Sequence, residues 1–180
     1  MYKRIIAVNV GYHMAVLEIL TAPDPKLKLN AEPVTDVESV QSFIDDMLDT
    51  LYATSNGIGL AATQLGRTEA VVIIDISEAR DRPLILINPK IMSGKDKVMG
   101  QEGCLSIPDY YADVERFTSV VVSALDRNGN DIMIESDDFL AIVMQHEIDH
   151  LHGNLFIDYL SPLKRQRAIN KVVKQRKKAG

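Results

Sequence analysis

Apolar positions recur along this chain with two different periods, and each period predicts an element. Val37, Val40, Ile44, Met47, Leu48 and Leu51 return at helical spacing, the pattern of a helix with one buried face. Thr35 and Glu38 stand just ahead of them as T-x-x-E. That pair predicts a capping box opening the helix near Thr35, and Asn56-Gly57 should close it. Ala70–Ile76, Leu84–Ile87 and Val120–Leu125 are β-branched or apolar runs of strand length. Asn128-Gly129 predicts a hairpin turn, because both residues tolerate positive φ, and Ile132 and Ile134 alternate beyond it. A second helix should run from about Asp137 to His152, capped by Asp137 or Asp138. Its interior, Phe139 to Met144, is apolar on every side, which predicts burial in the middle of the domain. Ser161-Pro162 opens a third helix. Strands dominate the middle and helices the two ends, so the class is α+β with antiparallel strands.

Composition narrows this picture. The chain has 180 residues, 46% hydrophobic and 25% charged, the balance of an ordinary globule. No repeat or composition break interrupts residues 14–163, so one domain is expected there. Met1–His13 reads as an N-terminal extension that need not be native, too short in its apolar part for a signal peptide. No apolar run approaches the roughly 18 residues of a membrane span. The single cysteine, Cys104, allows no internal disulfide and suits a reducing compartment, here the cytoplasm. Formal net charge is -5, which argues against a surface built to grip DNA. The charge is unevenly spread: residues 164–180 hold eight basic and no acidic side chains, leaving 12 basic against 25 acidic in 1–163.

The strongest chemical signal is His146-Glu147-Ile148-Asp149-His150. Two histidines four apart on a helix share a face, with about 6 Å of axial rise between them. They can bind one divalent cation together. Glu147 projects roughly 100° around the helix, poorly placed as a ligand of the same pair but close enough to hold water beside the ion. His-x-x-x-His spacing arises by chance in amphipathic helices. On a buried helix, however, three titratable groups in five residues need a compensating partner.

A catalytic site of this type wants a third ligand and an open position. Cys104, within Gln101-Glu102-Gly103-Cys104-Leu105-Ser106, is the candidate. Gly103 lets this turn-like segment approach a site closely. The competing readings are a small buried hydrophobe or a Cys/His nucleophile pair. A third unusual segment, Gly57-Ile58-Gly59-Leu60-Ala61-Ala62-Thr63-Gln64, combines close backbone approach with an amide donor. It lacks the Lys-Ser/Thr ending of a phosphate loop. His13 and His152 are not expected at the metal.

Together, Gly57-x-Gly59-x-Ala61-Ala62-x-Gln64, Glu102-Gly103-Cys104-Leu105-Ser106 and Gln145-His146-Glu147-x-Asp149-His150-Leu151-x-Gly153 resemble the three signature motifs of the peptide deformylase family, in order and in spacing. The likeness to the bacterial type runs from Met14 to about Arg167. It implies antiparallel sheets packed around a buried central helix carrying the His-Glu-x-x-His motif. It implies hydrolysis of the formyl group from the N-terminal methionine of new polypeptides, releasing formate. Carried over by motif, Cys104, His146 and His150 bind the metal, Fe(II) in the cell with Zn(II), Ni(II) or Co(II) as substitutes. Glu147 is then general base and acid, and Gln64 and the Leu105 N–H stabilise the oxyanion. Gly59 then bonds the substrate end, with Gly103 beside it. Ile58, Ile142, Val143 and His146 are candidate walls of a pocket for the methionine thioether, since Val143 and His146 lie on neighbouring turns of one helix face; plain core is the alternative for the apolar ones and the reading for Phe139. Bacterial members often carry arginine where this chain has Tyr111, which bears on contacts to the peptide backbone.

Two other functions fit parts of the pattern: a His-Glu-x-x-His metallopeptidase, and a noncatalytic metal-stabilised module that docks on ribosomes. The basic tail, Lys164 to Lys178, reads either as a solvated helix face or, by the resemblance, as a ribosome contact. In the second case, truncation after Leu163 should weaken ribosome binding and spare activity on short formyl peptides.

Overall fold

The computed structural model describes residues 15–179; the expected extension 1–13, with His13, lies outside them. Five strands form one antiparallel sheet in chain order: β1 (Gly59–Ala61), β2 (Val71–Ile74), β3 (Leu84–Cys104), β4 (Ile107–Leu125) and β5 (Asp131–Ser136). Three α-helices accompany it: α1 (Gln41–Ala53), α2 (Phe139–Leu151) and α3 (Pro162–Ala179). The α+β class and its antiparallel pairing are as expected.

Strand β2 shows why the site is held firmly. All four of its residues are buried, because alternate side chains enter different cores. Val72 and Ile74 pack with Ala141, Val143, Met144 and Ile148 of α2. Val71 and Ile73 pack with Phe43, Ile44, Met47 and Leu51 of α1. Helix α2 is buried along most of its length, as its apolar interior requires. Each fully buried side chain of this size contributes about 1.5–3 kcal/mol. A third cluster joins Ile107 and Val114 of β4 to Leu155, Phe156 and Ile157, and to Ala168 and Val172 of α3.

Several boundaries differ from expectation. Thr35 and Glu38 do not cap α1: Asp36 accepts from the Glu38 N–H at 3.1 Å, a 3-10 turn covers Glu38–Val40, and α1 proper begins at Gln41. The Asp36 carboxylate, one residue later, closes the turn locally. At Asn128-Gly129 only Gly129 has positive φ, 82°. The β4–β5 connection is a longer loop in which Asp126 accepts from the N–H groups of Asn128 and Asn130. Strands β3 and β4 are far longer than their apolar runs, since residues 90–104 pair with 107–123 as a two-stranded arm. Most of residues 92–101 are exposed, so no alternation marks them. The arm's close pairing is visible at Gly94, where a Cβ would lie 2.4 Å from the Phe117 ring.

Candidate metal centre and active site

Helix α2 begins at Asp138, whose carboxylate accepts from the Leu140 N–H at 2.9 Å, and this sets the rotational phase of everything after it. On its inner face His146 and His150 stand edge to face, ring centroids 5.0 Å apart. Cys104 arrives from the end of β3, where a register shift between Glu102 and Cys104 and the Leu105-Ser106 turn re-aim the chain. The segment expected to be turn-like is therefore mostly strand. Cys104 Sγ lies 3.3 Å from His150 Nε2. One donor atom from each of Cys104, His146 and His150 falls within 4.8 Å of the others, the geometry of ligands around one ion.

The environment of the donors matches a cation. His146 Nδ1 faces Glu102 Oε2 at 2.8 Å, so Nδ1 donates there and Nε2 is left for a metal. The Ser106 N–H and the Gln64 amide approach the Cys104 sulfur at 3.4 and 3.5 Å, as donors do around a thiolate. Glu147 Oε2 is buried without any hydrogen-bond partner. Burial raises the Glu147 carboxyl to about 7. An orphan carboxylate beside a soft sulfur and two imidazoles is a site whose charge balance wants a divalent ion. The two imidazoles are pushed in opposite directions. Burial opposes charge on both, but Cys104 and Glu102 more than offset it at His146, raising it, whereas His150 is held low by burial and by the charge on His146.

A buried ion-pair network fixes this centre. Arg116, on β4, donates to both oxygens of Glu102 at 2.7 and 3.1 Å and to Asp149 at 2.6 Å. Tyr159 donates to Asp149 at 2.9 Å and lies beneath the Arg116 guanidinium. Burial alone would raise the Glu102 carboxyl, but bonds and charge from His146 and Arg116 hold it down at about 2. Phe156 stacks on His146, centroids 6.2 Å apart, and Thr63 Oγ1 donates to the His150 carbonyl at 2.9 Å.

An open pocket of about 310 Å³ ends on this group, at the small end of the range for ligand sites. Ile58, Gly59, Gln64, Gly103, Cys104, Leu105, Ile142, Val143, His146 and Glu147 all line it. His150 lies behind, 1% exposed. Phe139 is expected in the core but is not there: it is the first residue of α2, lines the pocket and is 58% exposed. Tyr111 also lines the mouth and packs on the Gly103 backbone, leaving no room for a Cβ there. Gly59 is closely packed for a related reason: a Cβ there would sit 2.3 Å from Glu147 Oε1, so the carboxylate would have to move. His152 bonds to the Ile148 carbonyl and stays outside the metal group, as expected. Arg116, Thr63, Tyr159 and Phe156 were not legible in the sequence. Only Asp149, inside the motif, hinted at a network.

A half-buried cysteine sulfur and two buried imidazoles around an open pocket, with an unpartnered carboxylate alongside, define a metal-dependent hydrolase. Comparison with known proteins makes this particular. The family described as polypeptide deformylase matches residues 16–166. Peptide deformylase 2 of Vibrio parahaemolyticus is 73% identical over 161 residues, 89% of this chain and 96% of that protein. The peptide deformylase structure from Legionella pneumophila superposes with a TM-score of 0.86 at 43% identity, covering 91% of this chain and 96% of that one. That of Ehrlichia chaffeensis in complex with actinonin gives 0.85 at 41%, covering 90% and 98%. The chain belongs to the polypeptide deformylase family. It is a hydrolase that removes formyl groups from new polypeptides, which sets aside the metallopeptidase and noncatalytic alternatives. Among the described residues no helix is long and apolar enough to cross a membrane.

Proposed function

We propose that Cys104, His146 and His150 hold one divalent ion and that Glu147 moves the proton during removal of formate from N-formylmethionyl peptides. The observation that carries this is Glu147 Oε2, fully buried beside the three donors with no partner of its own. The bound ion supplies Lewis acidity, lowering the pKa of water toward about 7. Glu147 accepts the proton of the attacking water and delivers it to the departing amine nitrogen. The Leu105 N–H and the Gln64 amide stabilise negative charge on the formyl oxygen, where loss of one donor costs about 3–4 kcal/mol. Gln64 is poised for this role. Its Oε1 is tied to the Ala61 N–H at 2.9 Å and its Nε2 to Ser106 Oγ at 3.1 Å, so the hydrogen directed at sulfur over 3.5 Å is the weakly held one.

Ile58, Gly59, Gly103, Ile142 and Val143 receive the methionine end of the substrate. A sulfur-nitrogen donor set accepts Fe(II), Zn(II), Ni(II) or Co(II), and the family resemblance favours Fe(II) in the cell, in the cytoplasm. The exposed basic residues of α3 support docking on ribosomal RNA phosphates, with 14–163 as the catalytic domain. The test of the central role is Glu147→Gln. It should keep one equivalent of metal and lose about 100- to 10,000-fold in formate release. A metal-loaded variant within tenfold of the parent would remove Glu147 from the mechanism.

A further inference from the structure

Two features away from the metal converge on the pocket. Asp75, at the end of β2, is a charged residue only 2% exposed that the chemistry above does not use. Arg80, five residues later, has φ of 52°, in a region that non-glycine residues enter at a cost and only when surroundings hold them there.

Asp75 organises the connection between β2 and β3. Its carboxylate accepts from the Ser77 N–H and hydroxyl at 2.9 and 2.6 Å, from Tyr52 at 2.8 Å and from the Arg82 N–H at 3.1 Å. Ser77 Oγ in turn accepts from the Asp81 N–H at 3.2 Å. The loop so fixed turns Arg80 back across the end of α1. There its guanidinium donates to three carbonyls at once: Thr54 at 2.7 Å, Leu51 at 2.8 Å and Gly57 at 3.1 Å. It also lies over the Tyr52 ring, 5.6 Å from the centroid.

Gly57 is the first residue of the Gly57-Ile58-Gly59 edge that lines the pocket. The next carbonyl, that of Ile58, accepts from the Asp75 N–H at 2.8 Å. Gly57 also faces Leu105 closely enough that a Cβ on it would lie 3.0 Å from Leu105 Cδ1. The clamp thus grips the α1 end and the pocket edge as one unit. A planar cation with five fixed donors can serve three carbonyls at once; an ammonium on a flexible stem cannot hold the same fork.

We propose that Arg80 is a positioning residue for substrate: its three-carbonyl clamp, set by the Asp75-organised loop, fixes the Gly57–Gly59 backbone at the distance from Glu147 and Leu105 that the peptide requires. This rests on the assignment of Ile58 and Gly59 to the substrate edge. Arg80 touches neither the metal ligands nor Glu147 among the bonds described, so its loss should act on substrate capture more than on the chemical step.

The test compares Arg80→Ala, Arg80→Lys and Ile58→Ala as metal-loaded enzymes on a formyl-Met-Ala-Ser peptide, with metal content and thermal midpoint measured on each. Arg80→Ala should raise KM about tenfold with kcat within about threefold and one metal per chain. Millimolar guanidinium should restore part of the loss, and Arg80→Lys should fall between. If Arg80→Ala does not fold, Arg80→Lys carries the test alone, with a KM rise of about threefold or more required. An unchanged KM in the folded Arg80 variant, or a fall in kcat at constant KM, overturns the proposal. Ile58→Ala separates the two claims. If it too leaves KM unchanged, the edge is not where substrate binds. If it raises KM while Arg80 variants do not, the edge stands and the clamp is merely structural.

Discussion

Glu147 and Glu102 are two buried carboxylates driven apart by their surroundings. Glu147 has no partner and rises to about 7, while Glu102, paired with His146 and Arg116, sits near 2. The sign of each consequence follows. A buried carboxyl raised above its ordinary 4.5 favours the fold fully below that value and loses that advantage as pH climbs through 7. Metal-free Glu147→Gln should therefore match the parent in stability near pH 4 and exceed it above pH 7, by at most about 3 kcal/mol. Denaturant midpoints of both proteins at pH 4 and pH 8 measure this, and equal differences at the two pH values would contradict it. Glu102 works the other way: its contribution is present above 4.5 and fades as pH falls toward 2. Glu102→Gln replaces the anionic acceptor of His146 Nδ1 with a neutral amide and leaves Arg116 with one anion. It should weaken metal affinity by about 10- to 100-fold, readable by competition with a chelating dye.

At the scale of elements, the site is the meeting of one helix and one hairpin end. Asp138 determines where α2 starts, so Asp138→Ala should cost about 1 kcal/mol and lower the thermal midpoint without altering metal stoichiometry. Helix α2 was legible because its signals are local: a cap, an unbroken apolar interior and two histidines four apart. Strands β3 and β4 were not, beyond their apolar ends. Their arm is exposed, its polar residues carry no period, and its register is broken by shifts between Ile87 and Lys90, Ile91 and Ser93, and Glu102 and Cys104. Arg116 was invisible for the same reason. Its partners Glu102 and Asp149 are 14 and 33 residues away, and only the folded sheet brings them to it. Phe139 was misread because an apolar residue at a helix start shares the helix's period but not its burial. The Thr35 capping box failed because Asp36 offered a nearer acceptor.

For the whole molecule, the C-terminal helix is less separable than its charge suggests. Its basic side chains are exposed, but Ala168 and Val172 are buried against Ile107, Val114 and Phe156, and Phe156 stacks on His146. Val172→Ala should cost about 2 kcal/mol, and truncation after Leu163 would uncover that cluster. Reversing charge at Lys174, Arg176, Lys177 and Lys178 is the cleaner probe of ribosome docking. Affinity at low salt should fall while formate release from short peptides stays the same, and equal affinity would refute the docking proposal. The most direct measurement of the centre itself is X-ray absorption at the metal edge of zinc-loaded enzyme. The geometry of Cys104, His146 and His150 predicts one sulfur at about 2.3 Å and two imidazole nitrogens at about 2.0–2.1 Å. A shell without sulfur, or without both imidazoles, would contradict it.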